Sequence, residues 1–168
     1  MKILETERLV LRRVGVDDAE FILEVLNEPS FVENIGDRNV RTVEQARAYI
    51  ADRFVGSYER HGFGMYLVEA KEDGAPLGIC GLVKRDSLED VDVGYAFVPR
   101  HWGKGYAVES ASAVLEYARE SLGIPRVVAI TKPDNEASIR VLEKIGLRYE
   151  RTVDLGEADV SKLFVPVE

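Results

Sequence analysis

The chain is poor in the residues that carry metal, redox and membrane chemistry. Of its 168 residues a single one, Cys80, is cysteine, which excludes an internal disulfide. The two histidines, His61 and His101, have no second histidine or cysteine at ligand spacing, so no metal site is expected. No stretch approaches the ~18 consecutive apolar residues that a membrane span needs. The opening "MKILETERLVLRR" carries acids early and lacks the continuous apolar core of a secretory signal. A reducing cytoplasm is the expected compartment. Positive charge is also scarce: 22 Lys and Arg face 30 Asp and Glu, a formal net charge of -8. That balance argues against nucleic acid or an anionic membrane as partner, because both require a basic footprint.

What is there fits one globular domain over residues 1–168, with 46% apolar and 31% charged residues and no internal repeat. "LVLRRV" from Leu9 reads as a first strand, and "DDAEFILEVLN" as a helix with Phe21, Ile22, Val25 and Leu26 on one face. "TVEQARAYIADRFVGSYERHG" has capping-box spacing at Thr42 and Gln45 and a glycine stop at Gly62. Three strands follow: "FGMYLVEAK", "PLGICGLVKR" and "VDVGYAFV". The second is nearly continuously apolar, as an interior strand would be, and makes Cys80 a buried hydrophobe. In the third, Asp92, Gly94, Ala96 and Val98 share one face. A helix with an apolar stripe (Ala107, Ala111, Val114, Leu115, Ala118) precedes the strand "RVVAIT". A helix capped near Asp134 or Asn135 and ended by Gly146 precedes two last strands, "LRYERTV" and "VSKLFVPV". The order describes an α+β, or mixed α/β, domain with long antiparallel stretches.

Between strand and helix stands "RHWGKGYA", Arg100 to Ala107. A Gly-rich turn opening a helix is a common anion cradle: the first helical N–H groups lack internal partners, and the helix dipole favours negative charge there. Side chains at Gly103 and Gly105 would hold an anion off those amides, while Arg100 and Lys104 add charge. The phosphate loop GxxxxGK[ST] is absent, and the dinucleotide fingerprint fails because valine stands where its third small residue belongs. The spacing that does match is Arg-x-x-Gly-x-Gly. Trp102 is expected to pack and fix the turn, and Glu109 to complement the helix dipole.

"DVGYAFVPRHWGKGYAVESA", followed by "NEASIRVLEKIGLRYE", resembles the GNAT superfamily of N-acetyltransferases. "ETERLVLRRVGVDDAEFI" is similar to the branch of ribosomal-protein-alanine N-acetyltransferases. The likeness runs from about Glu7 to Val167. It implies a twisted, mostly antiparallel sheet whose two central strands splay apart, with acetyl-CoA in the gap as acetyl donor and no metal. By resemblance the amides of His101 through Ala107, among them Gly103, Lys104, Gly105 and Tyr106, bind the pyrophosphate, with Arg100 at the leading polar position. Backbone groups of Phe97 and Val98 pair with the pantetheine arm, and an amide near Ala96 or Phe97 serves as oxyanion donor. Asn135 and Ser138 match Asn-x-x-Ser near the thiol end. The implied reaction is direct attack of an unprotonated amine in a ternary complex.

Asp92, where the branch usually has Glu, is the preferred base or amine-orienting group; its alternative is a partner for a nearby arginine. The family's tyrosine acid, seven residues after the Asn, is Leu142 here, so Ser138 is the substitute acid, and Tyr149 is expected to be a plain strand residue. The acceptor is expected to be a protein N-terminal or small-molecule amine, chosen by the early helices and "EPSFVENIGDRN". An exposed edge strand near the C-terminus permits a homodimer. The competing reading is a non-catalytic acyl-CoA sensor or assembly module on the same fold.

Overall fold

A computed structural model describes residues 1–155 and 160–167 of the chain. Its centre is an eight-stranded sheet. The strands are β1 (Lys2–Glu5), β2 (Leu9–Arg13), β3 (Met65–Ala70), β4 (Pro76–Val83), β5 (Val91–Phe97), β6 (Val127–Thr131), β7 (Leu147–Val153) and β8 (Ser161–Pro166). They lie in the order β1-β2-β3-β4-β5-β6-β8-β7, antiparallel throughout except for the parallel pair β5–β6. All seven expected strands are present. β1 is an addition: its four residues are too short to show a period, and pairing with β2 makes it a strand.

The helices are α1 (Ala19–Asn27), α2 (Pro29–Asn34), α3 (Val43–Tyr49), α4 (Gly56–His61), α5 (Tyr106–Glu120) and α6 (Glu136–Lys144). α1 buries Ala19, Ile22, Val25 and Leu26, the apolar face expected of it. α2 falls within "EPSFVENIGDRN" and starts with Pro29 in its first turn, where a missing N–H costs nothing. The capping box of α3 is formed: Thr42 Oγ1 accepts from Gln45 N at 3.1 Å, and Gln45 Oε1 accepts from Thr42 N at 3.2 Å. The expected single long helix over 42–62 runs on through a π-helical stretch, Ile50–Val55, into α4, and stops at Gly62 with φ of 77°. Ile50 and Phe54, four residues apart and on one face, are both buried.

α5 packs on β4 and β5 through Ala111, Val114 and Ala118, with Ala107 and Leu115 partly buried beside them. Ser110 joins that stripe, its hydroxyl donating back to Tyr106 O at 2.7 Å. Cys80 is fully buried, and its thiol is pushed up to about 12 chiefly by that burial. At that value it stays protonated and is no nucleophile.

Candidate active site

The site begins where two strands part company. β5 and β6 pair only at Val91–Val127 and Asp92–Val128. Beyond that point β6 follows β8 from Ala129 to Thr131, while β5 stays with β4 as far as Phe97, in an unbroken register. A cavity of about 570 Å³ opens between them. Residues two apart on a strand turn their main-chain groups to the same neighbour. Val98 N donates to Leu77 O at 3.1 Å, so the amides of Ala96 and Gly94 also face β4, and those of Tyr95 and Phe97 face the opening. Val98 O accepts from His101 N at 2.9 Å, so both main-chain groups of Val98 are spent inside the chain. Phe97 O accepts from Trp102 Nε1 at 2.7 Å. Of the main-chain groups expected to meet a ligand here, the N–H of Phe97 is the one turned to the gap.

At the wide end stands the Gly-rich turn. His101 N and Trp102 N close a 3-10 turn over Pro99–His101, donating to Val98 O and Pro99 O. The expected run of ligand amides therefore starts later than His101. Gly103 and Gly105 have φ of 77° and 82°, left-handed values that a side chain resists, and Gly105 is the N-cap of α5. The first bond into the helix runs from Glu109 N to Gly105 O. Among the described residues the amides of Gly103 through Val108 find no acceptor. Alternating left-handed glycines and a helix start turn such amides into a concave, positive nest.

Arg8, which no local sequence signal singles out, braces this nest. Its guanidinium donates to Lys104 O at 2.8 Å, lies 4.7 Å over the Tyr106 ring and comes within 3.4 Å of where a Cβ on Gly105 would stand. Glu109 anchors it, accepting from Arg8 Nε at 2.7 Å, Arg8 N at 3.0 Å and the Thr6 hydroxyl at 2.5 Å. Burial alone would raise the Glu109 carboxyl, but those hydrogen bonds outweigh it and hold the group below its ordinary value. Glu109 thus ties the β1–β2 turn to α5 as well as facing the helix dipole.

Arg100 turns away from the nest and pairs with Glu24 of α1 at 2.5 Å. His101 lines the cavity; partial burial first, then the charges of Arg100 and Lys104, hold it below its ordinary value, which favours the neutral ring. Trp102 departs from the expectation of a packed residue. It is 55% exposed and fixes the turn through its hydrogen bond to Phe97.

At the narrow end Asp92 is only 1% exposed, yet it borders the cavity. Arg85 Nε donates to its Oδ2 at 2.9 Å. Burial pushes the carboxyl up from 3.8 to about 6, against the pull of Arg85 and, more weakly, Lys84. Such a group is mostly ionised at pH 7 and readily takes up a proton. The expected arginine partner of Asp92 is Arg85, and the paired carboxylate still borders the cavity. Because the folded chain holds this proton more tightly than the unfolded one, the group's contribution to stability is fully present below about pH 4 and is lost as pH rises through about 6.

On the facing helix Asn135 caps α6, its Oδ1 accepting from Ser138 N at 3.2 Å. The Ser138 hydroxyl accepts from the Tyr95 hydroxyl at 3.1 Å, which leaves the serine's own proton free to point elsewhere. Tyr95 is the second residue that sequence reasoning passed over. It was visible only as an alternating strand residue, 43 positions from the serine it meets. Burial raises its hydroxyl above the ordinary value, so it stays a donor. Leu142, at the family's tyrosine position, is core, and Tyr149 is a half-exposed residue of β7.

A single cavity is bordered by Asp92, Tyr95, Ser138, Asn135, Gly103, Gly105 and Ala107. A family model described as the acetyltransferase (GNAT) domain matches residues 8–148. The chain belongs to the GNAT acetyltransferase family. It is 34% identical over 151 residues, 88% of this chain and 84% of the relative, to a Bacillus subtilis (strain 168) protein named uncharacterized N-acetyltransferase YoaA. Solved structures share the fold. An acetyltransferase from Agrobacterium tumefaciens str. C58 superposes with a TM-score of 0.84 at 22% identity, covering 100% of this chain and 95% of that one. A ribosomal L7/L12 alpha-N-protein acetyltransferase, RimL, solved in complex with coenzyme A, gives 0.84 at 17% identity over 99% and 98% of the two chains.

The GNAT family uses acetyl-CoA, and the amides of Gly103–Val108, with the two left-handed glycines and the braced Arg8, are suited to its diphosphate. Among the described residues there is no group of three or more potential metal ligands. No helix among them is long and apolar enough to cross a membrane.

Proposed function

We propose that this GNAT enzyme transfers the acetyl group of acetyl-CoA to a primary amine, on a peptide N-terminus or a small molecule, by direct attack in a ternary complex. The observation that carries the reading is one continuous cavity running from an unsatisfied amide nest to a buried carboxylate of raised proton affinity. Acetyl-CoA supplies an activated thioester whose leaving thiolate needs little help at a thiol pKa of ~8.5. The nest at Gly103–Val108 holds the diphosphate, and Lys104 and Arg8 add charge beside it. The Phe97 N–H faces the gap and donates to the thioester oxygen as charge gathers there. Asp92 orients the amine and accepts its proton. Ser138, held by Tyr95, presents its hydroxyl proton to the departing sulfur. Holding two substrates together supplies the rest of the acceleration.

The test is thiol release from acetyl-CoA over a panel of primary amines, run beside calorimetric acetyl-CoA binding. Binding with amine-dependent release supports the transferase; binding with no release for any amine supports the sensor. Two side-chain predictions follow from the hydrogen bonds. Tyr95→Phe removes one neutral hydrogen bond to Ser138, worth ~1 kcal/mol, and is expected to lower kcat about 3- to 10-fold with acetyl-CoA affinity unchanged. Arg85→Met removes the cation that opposes burial at Asp92. It is expected to move the acid limb of the pH–rate profile upward from about 6, which initial rates across pH 5 to 9 would show.

A further inference from the structure

The acceptor end of the same cavity is walled by α2, the loop after it, and the α3 and π-helical segments, which contribute Phe31, Asn34, Arg38, Tyr49 and Arg53. Within that wall the Nε of Arg38 is buried and has no hydrogen-bond partner. No carboxylate among the described residues pairs with Arg38. Its neighbour Asp37 is committed to Arg41 at 2.6 Å and to Asn39 N at 2.8 Å. Burying one edge of a guanidinium with nothing to donate to is costly, and in a chain of net charge -8 a carboxylate partner would have been easy to supply. Arg53 stands in the same wall. Its one ion pair among the described residues, to the adjacent Asp52 at 3.3 Å, has both side chains mostly exposed (64% and 71%) and holds it only weakly. Asp92, the buried acid of this cavity, is tied to Arg85, and Glu28, the N-cap of α2 in the same wall, forms no ion pair with Arg38 or Arg53. Arg38 therefore borders a cavity that must admit an amine as a guanidinium with no carboxylate partner among the described residues.

We propose that Arg38, with Arg53 beside it, binds a carboxylate on the acceptor, so that the enzyme's substrate is an acidic amine: an amino-acid derivative or a peptide N-terminus with a carboxylate close to the amine. The proposal rests on the acetyl-transfer reading above and names the substrate class of that site. A planar guanidinium matches a carboxylate with two parallel N–H bonds, which fixes orientation as well as charge. The same wall disfavours polyamines, whose additional cations would face Arg38 and Arg53 unpaired.

The test compares matched amidated amines differing only in one carboxylate: aspartate amide against asparagine amide, glutamate amide against glutamine amide, and seryl-aspartate amide against seryl-asparagine amide. Each is measured for thiol release, and by calorimetry for binding to the CoA-loaded protein. At least one acidic member is expected to exceed its neutral counterpart about 10- to 100-fold in kcat/KM, to bind more tightly by a similar factor, and to lose both advantages in Arg38→Gln. Arg38→Gln should keep the wild-type acetyl-CoA affinity and should not lower the melting temperature, since it removes an unpartnered buried N–H. Equal use of neutral and acidic members, or an acidic preference that survives in Arg38→Gln, overturns the proposal. Acetyl-CoA binding with no turnover or binding of any probe overturns the acidic-acceptor assignment and leaves the cofactor reading standing. Failure to bind acetyl-CoA removes both.

Discussion

Asp92→Asn is expected to lower kcat/KM about 100- to 1,000-fold while leaving acetyl-CoA affinity within about twofold, because general-base assistance is commonly worth ~10²–10⁴-fold and Asp92 sits at the end of the cavity remote from the nest. Magnitude alone does not identify a base, but the pH profile does. A primary amine must lose a proton before it attacks, so log kcat/KM rises with unit slope below the amine's own pKa. In the wild type a second proton must leave Asp92, and the slope is expected to steepen to about 2 below pH 6, where the buried carboxyl titrates. Asparagine cannot titrate, so the variant should keep a slope of about 1 throughout. Burial favours the substitution structurally: an amide replaces a carboxylate of the same shape, and Arg85, itself partly exposed, can turn to water. A variant with wild-type rates, or one that keeps the steep limb, would exclude Asp92 from proton transfer.

The second large effect is expected at Gly105. Acetyl-CoA at ~100 times its Kd stabilises the folded wild type by ~2.7 kcal/mol, which for a domain of this size class raises Tm by ~5–10 °C. Gly105→Val is expected to abolish that rise. A β-branched side chain at φ of 82° is strained, its Cβ would stand in contact with Arg8 Nη2 at 3.4 Å, and its methyls would crowd the amides expected to face the diphosphate. The strain itself lowers the Tm of the ligand-free variant by an amount visible in the same experiment. The ligand-induced difference, not the absolute Tm, is therefore the readout. NAD and ATP should give no comparable shift with the wild type.

The elements of the fold were largely legible in the sequence because each carries a local signal. The Thr42–Gln45 box, the stop at Gly62, the stripe on α5 and the alternation of β5 need only neighbours a few residues apart. Sheet order was not legible in the same way. β8 inserts between β6 and β7, a placement set by pairings such as Ala129–Phe164 that no short window contains. The π-helical stretch at Ile50–Val55 was equally hidden, since its residues suit an ordinary α-helix.

At the site the same division holds. The Gly-rich turn announced itself, because left-handed residues before a helix must be glycine. Asp92 was reachable from strand alternation and from the family pattern. Arg8, Tyr95 and Arg38 were not, for each acquires its meaning from its tertiary surroundings: the turn at Lys104, the hydroxyl of Ser138, and a cavity wall in which no described carboxylate pairs with Arg38. Main-chain assignments proved subtler still. Val98 and Phe97 are adjacent, yet only Phe97 turns its amide to the opening, and that depends on which way the β4–β5 register falls.

The central claim is that the unsatisfied amides of Gly103–Val108 grip the diphosphate of coenzyme A and direct its sulfur end between β5 and β6. A crystal structure of the protein with coenzyme A tests it most directly. The claim predicts diphosphate oxygens within hydrogen-bond distance of those amides, and the thiol end between the Phe97 amide and Ser138. Coenzyme A bound elsewhere, or with its diphosphate in solvent while the β5–β6 gap stays empty, would contradict it.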